Sequence, residues 1–298
     1  MRRLAFLTMD SLDEFIEYDS LAIAPLRERG WDVDLVSWRE AADWDAYEAV
    51  VIRTPWDYHA EPEAFVDVLR TIDASRAKLA NPLEVVRWNL TKTYLRDLES
   101  RGVPIVPTVW GRDLSPATLA DLHREMGEQI VVKPTVGANA DDTFWLHPDS
   151  DPAVALAHFA HRPFMAQAFV RSVVEWGEAS LFFFGGTCSH AILKTPASED
   201  FRVQEEHGGR VVALEPEPAL REAAHRAVEK AVAITAHELL YARPDLVRLA
   251  DGSWALMELE LIEPSLYFAA DPASPARFAD AFVRWMKDPG RRTTDDDG

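Results

Sequence analysis

The sequence predicts an α/β protein made of α+β lobes, and three observations point there. Short apolar runs alternate with helical periodicity through the amino-terminal third, the pattern of a parallel sheet with crossover helices. Strand-like runs joined by Gly-containing turns fill much of the remainder, the pattern of antiparallel hairpins. One of these hairpins, residues 243–264 (RPDLVRLADGSWALMELELIEP), puts carboxylates into an otherwise apolar strand.

The 298 residues suit two or three small lobes, and a hydrophobic content of 48% is ample for a core. No apolar run approaches the roughly 18 residues of a membrane span, and the start, MRRLAFLTMD, reaches Asp10 too soon for a signal peptide. A soluble, cytoplasmic protein with no membrane partner is expected. The formal net charge of -19 disfavours nucleic acid, whose backbone is gripped by clustered Lys and Arg. A single cysteine, Cys188, excludes an internal disulfide and a multi-cysteine zinc site and is expected to be a small buried residue.

Residues 3–8, 32–37 and 48–53 read as short buried strands, with helices over 20–30 and 62–72, which makes a parallel α/β lobe. The first strand ends in MDSLDEF and lacks a G-x-G-x-x-G turn, so nicotinamide chemistry is not expected. The third runs into RTPWDYH, at the carboxyl end of a strand, where parallel sheets gather ligands. Arg53, Trp56, Asp57 and Tyr58 therefore form a candidate substrate loop; the alternative is a Pro-turn whose rings pack on the next helix. Asn89 or Thr91 is expected to cap a helix that carries Lys92 and stops at Gly102, and a lysine in a first helical turn calls for an anion nearby.

A second lobe opens with a helix over Pro116–Met126 and a strand holding Lys133. The VGANADD that follows is a small-residue loop, suited to close approach to phosphates and equally to an ordinary turn. PFMAQAFV is the next strand; GEASLFFFGG and TCSHAILKTP then pair across Gly185 and Gly186, with Lys194 near the end and Phe182, Phe183 and Phe184 in the core. The polar segment DFRVQEEHGGR, with Arg202, should lie near any ligand. A helix over 218–239 buries Leu220, Ala223, Ala224, Ala227, Ala231 and Ile234 and leaves His225 and His237 exposed. A last packing helix over Ser274–Lys287 precedes a frayed tail ending in TTDDDG.

The hairpin is expected as strands 245–249 and 254–261 joined at Asp251-Gly252. Period-two alternation puts Glu258 and Glu260 on one face. Two such carboxylates repel each other and lose hydration unless a cation lies between them, and a divalent ion such as Mg2+ takes carboxylate and phosphate oxygens together. The alternative is a solvent-facing edge with Leu259 and Leu261 turned inward.

In their order, these parts resemble the ATP-grasp superfamily of carboxylate–amine ligases, of the D-alanine-D-alanine ligase and glutathione synthetase type: Lys92, Lys133 with its small-residue loop, Q-x-F-V, a Gly-Glu strand, Lys194, F-R-x-x-x-x-x-G-G, R-x-D and E-x-E. RTPWDYH, RWN-x-x-K and MELELIEPSLY are most similar to the subgroup that closes O-ureido-D-serine to D-cycloserine. Glu260 stands where D-alanine-D-alanine ligases and their relatives carry Asn.

The resemblance implies an ATP-grasp fold in which two lobes sandwich ATP: a pre-ATP-grasp substrate lobe over 1–104 that ends with the Lys92 helix, a central lobe with a phosphate-covering loop over 105–170, a carboxyl-terminal lobe with a metal site over 171–290, and a disordered tail over 291–298. It implies ATP and two Mg2+ ions, or Mn2+, as cofactors, with Asp245, Glu258 and Glu260 as metal ligands. Lys92 and Lys133 would meet phosphates under a loop that includes Gly137 and Asn139; Gln167 and the backbone of Phe169 and Val170 would line adenine; Glu178 or Glu175 would take the ribose. Lys194, Arg202 and Arg243 would act on the γ-phosphate, the reacting carboxylate and the oxyanion, while Arg53, Trp56, Asp57 and Tyr58 would hold the substrate. The implied activity is formation of a C–N bond through an acyl phosphate, with small carboxylate and amine substrates, a homodimer by analogy, and natural-product biosynthesis as one setting. The alternatives are a small-molecule kinase of the same fold and a non-catalytic nucleotide-binding module.

Overall fold

Strands buried on both faces build the amino-terminal sheet. The computed structural model describes residues 1–13, 15–137, 141–197, 202–203, 205 and 208–287. In it the apolar runs 4–7 of β1 (Arg2–Thr8) and 49–52 of β3 (Ala49–Thr54) are buried, as a parallel sheet covered by helices requires. They form a four-stranded parallel sheet in the order β2-β1-β3-β4, with β2 (Trp31–Ser37) at one edge and the short β4 (Lys78–Ala80), not anticipated from the sequence, at the other. Helices α1 (Ser20–Glu28) and α2 (Pro62–Asp73) make the crossovers.

The helix expected around Lys92 is two helices, α3 (Leu83–Asn89) and α4 (Tyr94–Ser100), with Lys92 in the joint. Asn89 does not cap a helix because its amide is used elsewhere. Its Nδ2 donates to Leu259 O (2.9 Å) and its Oδ1 accepts from Leu261 N (3.0 Å). The backbone N–H of Lys92 instead donates to Thr135 O (2.7 Å), which ties the joint to the strand carrying Lys133.

A second sheet is antiparallel, in the order β5-β8-β6-β7: β5 (Thr108–Arg112), β6 (Ile130–Pro134), β7 (Phe144–Leu146) and β8 (Pro163–Ala168), backed by α5 (Pro116–Met126) and α6 (Ala153–His158). After the short helix α7 (Ser172–Glu175), a third sheet runs β11-β10-β9-β12-β13, also antiparallel. Its strands are β9 (Glu178–Phe184), β10 (Thr187–Thr195), β11 (Arg210–Ala213), β12 (Tyr241–Arg248) and β13 (Trp254–Glu260). Gly185 and Gly186 both have positive φ, +55° and +75°, so the β9–β10 turn needs the freedom of glycine. Phe183 packs on one face of this sheet against α4 and α8 (Pro218–Thr235); Phe182 and Phe184 pack on the other against α1 and α9 (Ser274–Lys287).

Two boundaries differ from expectation. Helix α8 stops at Thr235, where Ala236 is left-handed (φ +57°), because Leu239 and Leu240 must turn into the core ahead of β12. Strand β12 begins at Tyr241, earlier than the sequence pattern implied, and Pro244 sits within it; the ladder to β9 skips Arg243 and Pro244, as a residue without an N–H demands. Cys188 is half-buried, not buried. The tail over 291–298 lies outside the described residues. No described helix is long and apolar enough to cross a membrane.

Candidate active site

The β12–β13 hairpin forms the floor of a cleft between the sheets. Its register sets Asp245 opposite Glu258 and Arg243 opposite Glu260, and all four line the cleft. Lys92 enters from the α3–α4 joint, Lys133 and Gly137 from β6 and the loop after it, and Gln167, Phe169 and Val170 from the end of β8. Glu178 on β9, Lys194 on β10 and Arg202 complete this side, while Trp56 and Tyr58 reach in from the loop after β3.

Opposite charges are interleaved here. Lys92 pairs with Glu258. Lys194 bridges Glu178 (2.6 Å) and Asp245 (3.2 Å), and Arg243 bridges Asp245 (3.0 Å) and Glu260. Burial would raise Asp245 and Glu258, but Arg243 and Lys194 in the first case, and Lys92 and Lys133 in the second, outweigh it and hold both low. Glu260 is pushed up to about 7 by burial, which Arg243 only partly offsets and the Asp245 and Glu258 charges reinforce. Glu178 is raised mainly by burial, against the pull of Lys194. Lys133 is the exception among these cations: no described carboxylate pairs with it, its nearest polar contact is the Met257 sulfur (3.9 Å), and burial lowers its pKa.

Among the described residues, no three acidic, His or Cys side chains converge on one point as a metal cage. Each of Asp245, Glu258 and Glu260 is instead held by a lysine or arginine of the chain. The donor set still fits a hard divalent ion: three carboxylates on one sheet face, at positions that the chain itself fills with positive charge.

A family model described as "D-cycloserine synthetase DcsG, N-terminal domain" matches residues 4–81. The cycloserine biosynthesis protein DcsG of Streptomyces lavendulae is 33% identical over 94% of this chain and 98% of that protein. The chain belongs to the DcsG family of ATP-grasp ligases. The crystal structure of D-cycloserine synthetase DcsG superposes on this ATP-grasp ligase with a TM-score of 0.84, at 32% identity over 95% of this chain and 99% of that one. D-alanine–D-alanine ligase from Bacillus anthracis (TM-score 0.68, 14% identity, 97% and 100% covered) and the ATP-grasp ligase PsnB in complex with minimal precursor, Mg and ADP (TM-score 0.65, 15% identity, 96% and 98% covered) share the fold. Family membership makes the chain an ATP-dependent enzyme that forms carbon–nitrogen bonds.

Several expected site residues of this ligase lie elsewhere. Arg53 is 1% exposed and does not meet the cleft; its guanidinium pairs with buried Asp19 (3.1 Å) and donates to Pro264 O (2.7 Å). Asp57 does not line the cleft either, since it accepts from Trp38 Nε1 (2.8 Å) and from Arg39. Glu175 is exposed on α7, away from the cleft that Glu178 lines. The Phe169 N–H is given to Gln129 O (2.9 Å), which leaves the Phe169 carbonyl and the Val170 N–H as that segment's backbone groups for a base edge. Asn139 lies outside the described residues.

Sequence reasoning missed Glu263, which lines the cleft between the aromatic pair and the hairpin. Burial, reinforced by the Glu260 charge, pushes its carboxyl up to about 8, and the Tyr58 hydroxyl donates to it. The available signal was a third acid in the run MELELIEP, out of phase with the alternation that singled out Glu258 and Glu260.

Proposed function

We propose that this ligase uses ATP and two Mg2+ ions to activate the carboxylate of a small D-amino-acid derivative as an acyl phosphate, and that a nitrogen of the same molecule then displaces phosphate to close a C–N bond, as in the formation of D-cycloserine from O-ureido-D-serine, where the carbamoyl on that nitrogen is also lost by hydrolysis as CO2 and NH3. The observation that supports this most directly is the interleaved charge of the cleft, seven groups within one pocket: Lys92, Lys133, Lys194, Arg243, Asp245, Glu258 and Glu260. Mg2+, or Mn2+ in its place, held by Asp245, Glu258 and Glu260, would supply charge neutralisation for phosphoryl transfer. Lys133, with no paired carboxylate among the described residues, is the cation best prepared to meet a triphosphate, and an anion beside it would restore its proton affinity. Lys92, Lys194 and Arg243 already neutralise carboxylates, and they would turn toward phosphate and oxyanion oxygens as those carboxylates take up cations. Gln167, the Phe169 carbonyl and the Val170 N–H would line adenine, Glu178 the ribose, Gly137 and Asn139 the phosphates, and Arg202 the reacting end. Trp56 and Tyr58 would wall the substrate. Residues 1–104, 105–170 and 171–290 would be its three working lobes, in a cytoplasmic homodimer.

A screen of D-amino acids and their ureido derivatives for ADP release, with mass spectrometry of products, tests this. The expected result is ADP and free phosphate in equal amounts with a dehydrated or cyclised product; phosphate retained on the product would show a kinase. In the same assay Glu258→Gln is expected to lower kcat by about 10²-fold or more, the usual cost of removing one electrostatic group from such a centre, with far-UV circular dichroism unchanged.

A further inference from the structure

The segment that follows the hairpin is held in an unusual way. Each of its carbonyls from residue 261 to 265 accepts a hydrogen bond from a different side chain: Asn81 to Leu261 O (2.9 Å), Tyr241 to Ile262 O (2.9 Å), Trp56 to Glu263 O (2.9 Å), Arg53 to Pro264 O (2.7 Å) and Arg243 to Ser265 O (3.1 Å). Asn81, Tyr241 and Arg53 are buried and lie outside the cleft lining. They fix the backbone from behind and leave the Glu263 side chain as the group this strap contributes to the cleft's acidic set. Such over-determination is what keeps a recognition group in register with its ligand.

The chemistry around Glu263 differs from that of the rest of the cleft. The hairpin carboxylates are each paired with a lysine or arginine, whereas no described cation pairs with Glu263; its partner is the neutral Tyr58 hydroxyl. Trp56 and Tyr58, on the same side, offer aromatic surface. A carboxyl with no ion-paired lysine or arginine among the described residues, a hydroxyl and aromatic rings suit an ammonium group, whose charge would favour the ionised carboxylate.

We propose that the Glu263 carboxylate receives the substrate's ammonium and thereby orients its carboxylate toward Lys194, Arg243 and the hairpin acids. This deepens the ligase reading and rests on it, since it assumes an amino-acid substrate in this cleft. Glu263 is then the residue that makes the enzyme choose amino acids over acids lacking the amine.

The test compares each substrate with its desamino counterpart, O-ureido-D-serine with 3-(ureidooxy)propanoate first, in the wild type, Glu263→Gln and Glu263→Asp, reading kcat and KM for ADP release. The wild type is expected to favour the amino compound, and Glu263→Gln to raise KM for it at least tenfold, with little change for the desamino acid, so that discrimination collapses. Glu263→Asp, which keeps the charge, should restore part of it. If Glu263→Gln discriminates as the wild type does, or alters the Mg2+ dependence and not the amine preference, the assignment is overturned. If both compounds suffer equally, Glu263 is only structural and the assignment falls. Should the wild type release ADP with none of the acids in the panel, the ligase reading fails first, and that outcome is recognisable from the wild type alone.

Discussion

Glu258 and Glu263 are close neighbours in the chain with opposite electrostatic fates. Burial acts on both, but Lys92 and Lys133 hold Glu258 low, whereas burial and the Glu260 charge outweigh the pull of Tyr58 and Lys92 on Glu263 and push it up to about 8. The folded protein therefore binds a proton that the unfolded chain, with an ordinary value of 4.5, has released. Linkage then requires stability to fall as pH rises through the window from 4.5 to about 8. Without metal or nucleotide, Glu263→Gln is expected to melt with the wild type near pH 5 and above it near pH 9, as read by calorimetry. Glu260, pushed up to about 7, adds a slope of the same sign to both proteins, so the difference between them is the signal. Failure of the curves to diverge would show that Glu263 keeps its solution behaviour. Asp245, Glu258 and Glu260 were legible in the sequence because charge in an apolar strand demands an explanation, and Lys133 and Lys194 through the order of parts that the family resemblance carries; the structure brings all five into one cleft. The rule that parallel sheets gather ligands at strand carboxyl ends misread Arg53, because the acid that satisfies it, Asp19, lies 34 positions away in the chain, where nothing in the sequence marks it as buried.

Elements were read well where periodicity alone decides them and badly where a side chain serves a distant backbone. The parallel strands and the hairpin followed from apolar runs and turn residues, since both depend on local pattern. The break between α3 and α4 did not, because Asn89 is committed to β13, and such a commitment leaves no local trace. The strap over 261–265 is the extreme case, with donors drawn from three separate regions of the chain. One consequence can be measured. Arg53→Met leaves Asp19 buried without its cation and deprives Pro264 O of a donor, and removing one member of such a pair typically destabilises by about 3–5 kcal/mol. The expected observation is a lowered urea midpoint with an unchanged m-value, partly recovered when Asp19→Asn is added. An unchanged midpoint would mean that the pair contributes nothing.

Segments far apart in the chain meet through backbone and side chain alike. Ile105 and Leu256 form a parallel bridge, with Val106 N donating to Leu256 O (3.1 Å) and Leu256 N to Pro104 O (2.9 Å). Arg29 of α1 pairs with Asp280 of α9 (2.7 Å). On the other side of the cleft His59 Nε2 lies 3.5 Å from Asp141 Oδ2, and the Tyr18 hydroxyl donates to Glu205 (2.9 Å), so segments after β6 and β10 touch the loop after β3 and the stretch before α1. A nucleotide bound across these parts should stabilise all of them together. At a hundred times its Kd a ligand adds about 2.7 kcal/mol. Mg2+ with a non-hydrolysable ATP analogue is accordingly expected to raise Tm by several degrees, and Lys133→Ala to lose most of that shift while keeping the melting point of the protein alone. The order of parts that carries this architecture was visible in the sequence, but the contacts between parts were not, since they join residues far apart in the chain. The pinned strap has a further implication for engineering. Three of its five anchors, Asn81, Tyr241 and Arg53, lie outside the cleft lining, so a protein chemist could rewrite position 263, to an amide for hydroxy acids or a lysine for diacids, and retarget the pocket without rebuilding its scaffold.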